Sequence, residues 1–193
     1  MWFVQARCDE IVRHGDMLPK MRSAGNMWVL TGAESGSEVT LRNVKKGISP
    51  DQTADAVRLM KKSGIFAQTT FIIGHRDDTH KTLSDLREFV DKIDPDLAIF
   101  MLLTPFPGTD VYEEARRKGW IEDPNWANYD MVHSIMPTET LSREELQEEL
   151  VNCYRAFYGS WGRRFHDIFS SNKLKRRTYQ YMASQSLLTQ LKP

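Results

Sequence analysis

Residues 32–47 read "GAESGSEVTLRNVKKG" and follow the apolar run Met27-Trp28-Val29-Leu30. The run predicts a strand. The helix-prone stretch Glu38 to Lys46 follows it and closes on Lys45-Lys46-Gly47. Glycine and serine serve the geometry of a turn, but the carboxylate and the two lysines point to something bound. Glu34, just past the strand, can reach the mouth of a sheet. There it can accept hydrogen bonds from ribose hydroxyls or pair with an ammonium group. Lys46, at the end of the helix, can turn back toward a ligand carboxylate. The local alternative has Lys46 on the helix C-terminus and Glu34 on backbone.

The pattern repeats on either side. Trp2 to Ala6 is β-prone, and Glu10 to Ala24 is helical with a break or fresh start at Pro19. Ser49 and Pro50 open another helix as N-cap and first-turn proline. Ala54, Val57, Leu59 and Met60 give that helix an apolar face, and Ser63-Gly64 stops it. Phe66 to Ile73 is a third strand. Leu83, Leu86, Phe89, Val90 and Ile93 keep helical spacing. Leu97 to Leu103 is a fourth strand, and a helix over Val111 to Lys118 follows the turn "TPFPGTD". Strand alternating with helix predicts βαβ units and a parallel sheet. Continuously apolar strands fit burial on both faces. Ligands of such sheets sit at the carboxyl ends of the strands.

Composition sets the bounds. The 193 residues carry 26 Lys and Arg against 26 Asp and Glu, a balance that argues against a general nucleic-acid surface. No run approaches the roughly 18 apolar residues of a membrane span, and no signal peptide is visible. The two cysteines, Cys8 and Cys153, stand far apart. They make no disulfide framework, so a reducing cytoplasm is expected.

The last third differs in character. Residues 120–136 are irregular, with Pro124, Trp126, Tyr129 and His133. Ser142 and Glu145 then form a capping box. Leu146, Leu150, Cys153, Phe157, Trp161 and Phe165 step by three or four along a long amphipathic helix. That spacing favours core packing for its aromatic residues, Tyr154 and Tyr158 included, over contact with a cofactor. "KLKRR" at 173–177 reads as a solvated face. The division expected is residues 1–119 as a half-barrel and 120–193 as an irregular segment with a helical extension.

"GAESGSEVTLRNVKKGIS", "TTFIIGHRDDTHKTL" (69–83) and "LTPFPGTDVYEEARRKGWI" (103–121) resemble, in order and spacing, the fourth, fifth and sixth strand regions of radical S-adenosylmethionine enzymes. "WFVQARCDEI" (2–11) resembles the third strand. "LSREELQEELVNCYRAFY" (141–158) is similar to the helix after the barrel in the cobalamin-binding branch, which contains anaerobic oxidative cyclases of a magnesium porphyrin ester. The resemblance covers residues 2–158. It implies an α/β fold, an incomplete (β/α) TIM-like barrel of about four parallel strands with a C-terminal helical extension.

For the site, the resemblance implies that Glu34 approaches the ribose or amino group of adenosylmethionine and Lys46 its carboxylate. Thr70 would approach the ribose and Arg7 the methionyl end. Gly74 would let backbone pass close to adenine, with Leu103 and Thr104 flanking that ring. It further implies a four-iron four-sulfur cluster, a small-molecule substrate, an electron-donor protein and, in this branch, cobalamin.

This sequence departs from the family twice. "GHRDDT" stands where the family has a "GLPGET" loop, so Asp78 takes the glutamate position and His75 an apolar one. A CxxxCxxC cluster motif is absent, and two distant cysteines cannot replace three clustered thiolates. The cluster ligands and any cobalamin site are therefore expected outside these residues. The chain is read as the carboxyl-terminal part of an enzyme that is inactive without its other barrel half. Two rivals stay open. One is a different α/β barrel enzyme, weakened by the lack of a glycine-rich phosphate loop. The other is a non-catalytic half-barrel docking module.

Overall fold

A computed structural model describes residues 1–160, 163 and 167–190. The strands are β1 (Trp2–Gln5), β2 (Asn26–Glu34), β3 (Phe66–Ile73) and β4 (Leu97–Leu102). The helices are α1 (Cys8–Arg13), α2 (Leu18–Ser23), α3 (Glu38–Asn43), α4 (Pro50–Lys62), α5 (His80–Ile93), α6 (Asp110–Arg117), α7 (Arg143–Tyr158) and α8 (Lys173–Gln190). The four strands form one parallel sheet in chain order. This is the expected α/β architecture of a partial barrel.

Local sequence accounts for the boundaries. The helix expected over Glu10 to Ala24 divides, with Pro19 in the first turn of α2. Ser49 caps α4 in a reciprocal box with Gln52, and Ser142 caps α7 with Glu145. Two expectations are corrected. β2 runs four residues past Leu30, so Glu34 is its last residue. α3 ends at Asn43, which leaves Lys46 in the loop beyond it. Left-handed backbone at Lys45 and Gly47 makes that loop turn back.

Helices cover one face of the sheet. Val29 and Ala67 pack under α1 and α4 with Cys8, Ile11, Ala56, Val57 and Met60. Phe71, Ile73, Ala98, Phe100 and Leu102 pack under α5 and α7 with Leu83, Leu86, Leu146, Leu150 and Phe157. On the opposite face Leu97, Ile99 and Met101 of β4 are half-buried. The apolar continuity of β4 therefore does not bury both faces within the described residues.

The edge of β4 that faces away from β3 is satisfied without another strand. Tyr158 Oη donates to the Ala98 carbonyl at 2.7 Å and accepts from the Ala98 N–H at 3.1 Å. Tyr154 Oη does the same for Phe100, at 2.9 and 3.2 Å. The Leu102 N–H donates to the carbonyl of Met131 at 2.8 Å. Unpaired strand edges invite further pairing, and here hydroxyls blunt one. Of the aromatic stripe, Phe157 lies in the core and the two tyrosines cap the edge. Trp161 and Phe165 fall outside the described residues.

The basic stretch 173–177 is not uniformly solvated. Lys175 is buried and pairs with Asp96 at 3.2 Å and Asp167 at 2.8 Å. None of the described helices is long and apolar enough to cross a membrane.

Candidate functional site

The carboxyl ends of the four parallel strands all open at one end of the sheet. Glu34 ends β2, Gly74 directly follows β3, and Leu103 and Thr104 directly follow β4. Within the sheet, Gly32 stands opposite Thr70, and Thr70 opposite Ile99. Arg7 follows β1 at the N-cap of α1. The seven residues singled out in the sequence thus share one end of the sheet.

Glu34 is held in an unusual conformation. The ladder between β2 and β3 shifts register between Gly32 and Glu34, and Glu34 has φ +62°. A left-handed non-glycine residue costs on the order of 1–2 kcal/mol. Such strain collects at functional positions. The bulge turns the carboxylate back over Gly32, where Lys46 Nζ donates to Glu34 Oε1 at 2.5 Å. Both side chains are about one-fifth exposed. A Cβ on Gly32 would stand 2.5 Å from that oxygen and 3.0 Å from the ammonium nitrogen. The bare α-carbon therefore makes room for the pair. The sequence reading singled out Glu34 but missed Gly32, whose signal is its place two residues before an inward carboxylate.

Arg7 joins this group through backbone. Its Nη2 donates to the Lys46 carbonyl at 3.1 Å, and its Nε to Asp9 Oδ1 at 3.0 Å. The bond to Asp9 holds the guanidinium above its ordinary pKa. Thr104 is buried, and its hydroxyl donates to the Leu102 carbonyl at 3.2 Å. Leu103 extends the β4 ladder by donating from its N–H to the Ile73 carbonyl.

Gly74 has φ +89°, which strains any other residue. Asp78 organises the turn around it. One carboxylate oxygen accepts the N–H groups of Gly74 and His75 at 2.8 and 3.0 Å, and the other accepts the Thr82 hydroxyl at 3.2 Å. Burial keeps the Asp78 carboxyl above its ordinary pKa, although those donors and His75 oppose it. The acidic residue that replaces a glutamate is thus a brace for the loop. Thr140 donates to the Asp78 carbonyl and Arg76 to the Pro137 carbonyl, so the segment before α7 straps the loop down. His75 is buried, and its Nε2 has no protein partner.

The donor set fits the methionyl end of adenosylmethionine, which carries an ammonium and a carboxylate. A half-buried carboxylate, an ammonium and a guanidinium lie together at the strand ends. An iron–sulfur cluster does not fit these residues. Cys8 and Cys153 are buried in separate parts of the core. Burial raises the Cys8 thiol and pushes that of Cys153 up to about 11. Among the described residues no three His, Cys, Asp or Glu side chains are grouped to hold a metal.

Comparison with known proteins agrees with this architecture. The family model described as the Radical SAM superfamily matches residues 4–90. Residues 4–90 belong to the radical SAM superfamily. A curated relative, the anaerobic magnesium-protoporphyrin IX monomethyl ester cyclase of Rubrivivax gelatinosus, is 30% identical over 158 residues. The alignment covers 82% of this chain and 28% of that protein. An uncharacterized methyltransferase of Pyrococcus horikoshii is 35% identical over 138 residues, 72% of this chain and 30% of that one. The chain thus spans less than a third of the length of these relatives. Among solved structures, the cobalamin-dependent radical enzyme OxsB, with aqua-cobalamin and S-adenosylmethionine bound, superposes with a TM-score of 0.63. That superposition has 17% identity and covers 95% of this chain and 33% of that one. It shows the radical SAM fold.

Proposed function

We propose that the sheet mouth is the adenosylmethionine pocket of a radical enzyme acting on an organic small molecule. One observation carries this reading: Glu34 and Lys46 form a half-buried ion pair at the strand ends, over a glycine that leaves them space. A zwitterionic ligand can take both partners at once, its ammonium on Glu34 and its carboxylate on Lys46, with Arg7 near. Thr70, opposite Gly32, is placed for the ribose. Gly74 offers backbone to the adenine, and Leu103 and Thr104 close the far side of that ring.

Bound there, adenosylmethionine would supply radical chemistry toward the substrate, and a four-iron four-sulfur cluster would have to be held by residues outside this chain. This chain's own residues bind and orient the cofactor and exclude water from it. Cobalamin belongs to the same reading, because the superposed OxsB carries it, and an electron-donor protein and a further barrel segment complete the proposal. A cytoplasmic setting fits the two reduced, buried cysteines.

Calorimetric titration of the protein with adenosylmethionine tests it. Glu34→Ala removes a charged hydrogen bond, so affinity falls about ten- to hundred-fold, while ATP binds neither form well. Unchanged affinity in the variant, or equal affinity for ATP, would count against the pocket.

A further inference from the structure

Strand register orders the face of the sheet opposite the helices. Ala67, Phe71 and Ile73 of β3 pack under helices, so Gln68, Thr70 and Ile72 point the other way. Parallel pairing sets Thr70 beside Gly32 and Ile99 at the proposed pocket. One step deeper, Gln68 stands in a row with Gln5, Leu30 and Leu97. A further step deeper, Phe3, Trp28 and Phe66 form an aromatic row, with successive ring centroids 6.1 and 5.4 Å apart. Gln68 therefore lies about 7 Å below Thr70 on the same face, two residues along the strand. Gly32, beside Thr70, brings no side chain over it.

Packing alone does not account for a glutamine in this row. Gln68 is 4% exposed. Among the described residues no donor or acceptor bonds its carboxamide, and its neighbours across the two ladders are Leu30 and Leu97. A buried carboxamide in that state costs folding free energy, and such groups call for a partner. A leucine would fill the position without that cost.

We propose that Gln68 is a specificity-determining residue whose carboxamide binds an amide or lactam group of the substrate at the floor of the sheet mouth. A carboxamide offers an N–H donor and a C=O acceptor in one plane. The cis amide of a lactam answers both with two parallel hydrogen bonds. Charge is disfavoured at this depth. The row holds glutamines and leucines, so a desolvated ion there has no counter-charge. The charged pair, Glu34 with Lys46, lies nearer the strand ends. The inference rests on the proposed reading for the presence of a substrate at this mouth.

The probe is δ-valerolactam, a neutral cyclic amide, with piperidinium and cyclohexanecarboxylate as charged comparisons of similar size. Magnetic-resonance titrations of the isotope-labelled chain contain no adenosylmethionine, and the calorimetric titration with adenosylmethionine decides the pocket separately. The side-chain amide signals of Gln68, assigned by their loss in Gln68→Leu, shift with the lactam and not with either ion. Gln68→Leu weakens lactam binding, followed at the Thr70 backbone amide, about ten-fold, the scale of two neutral hydrogen bonds. Gln68→Glu, of nearly the same size, reverses the preference toward piperidinium, a change that a packing role alone does not produce. Gln68→Leu also melts at or above the wild-type temperature, because it removes an unpartnered amide. The proposal is overturned if the wild-type Gln68 signals do not respond to the lactam, if both ions shift them equally, or if Gln68→Leu binds the lactam normally. A lower melting temperature for Gln68→Leu also overturns it, since the carboxamide then serves the fold.

Discussion

The carboxylate of Glu34 and the ammonium of Lys46 meet 2.5 Å apart above the α-carbon of Gly32. Twelve residues separate the pair in sequence. A left-handed bulge at Glu34 and a left-handed turn at Lys45 and Gly47 bring them together. Gly32→Ala is therefore a sharper probe than removing either charge. The atoms the added methyl meets first are the far ends of two flexible side chains, so the fold absorbs it, but the pair must separate. The expected outcome is a melting temperature within a few degrees of wild type, with adenosylmethionine affinity reduced about ten-fold, a loss comparable to one charged hydrogen bond. Loss of stability and affinity together would assign Gly32 to folding alone.

The tyrosine pair on α7 offers a second test. Tyr154→Phe and Tyr158→Phe keep the rings in place and remove the hydroxyls that bond Phe100 and Ala98. Each leaves one N–H and one carbonyl of the β4 edge without its partner. A buried group so deprived costs about 1–3 kcal/mol. Denaturant unfolding should show each variant destabilised by that order. The double variant should associate more readily in sedimentation, because the strand edge becomes available.

Much of this fold was legible because its signals are local. Alternating apolar runs, the Ser49 and Ser142 caps and the stop at Gly64 each act within a few residues, and they placed the four strands and most of the helices. The site was legible only as residue types at strand ends. The direct pairing of Glu34 with Lys46 depends on a bulge that nothing in "GAESG" announces, since an acidic residue rarely takes positive φ without tertiary support. The burial of Lys175 was equally hidden. Its partners Asp96 and Asp167 are 79 and eight residues away, and a charged pentapeptide gives no sign that its central member points inward. The tyrosine hydroxyls on β4 were read only as part of an apolar stripe, because helical spacing reports which face is covered and not which atoms bond.

Lys175 supports a third prediction. Its ammonium lies between two carboxylates, and Asp96 also accepts the Ala67 N–H at 2.9 Å. Tyr179 donates to the Asp96 carbonyl at 3.2 Å. Lys175→Met keeps the length of the side chain and removes the charge the two carboxylates share. Removing one partner of a buried ion pair costs about 3–5 kcal/mol. The expected result is early release of α8 from the start of β4, read as faster hydrogen exchange in residues 173–185 with β2 and β3 still protected. Uniform protection would show that the ammonium contributes little.

His80 supplies a pH dependence. Its Nδ1 lies 2.9 Å from Glu149 Oε1 and its Nε2 3.7 Å from Glu145, while Arg87 binds the other oxygen of Glu149. Glu149 is buried on α7, and His80 and Arg87 belong to α5, so the group fastens these two helices. The hydrogen bond to Glu149 raises the pKa of His80 above its ordinary value. A raised histidine binds its proton more tightly when folded. Its contribution is complete below the ordinary value of about 6.5 and fades as pH rises through the higher folded value. Thermal unfolding across that window, compared with His80→Gln, should show the wild-type advantage shrinking with increasing pH. The imidazole is largely exposed, so the effect is small and added salt reduces it further. An advantage that grew with pH would mean that neutral His80 is the form the clamp prefers, and that Arg87 alone balances Glu149.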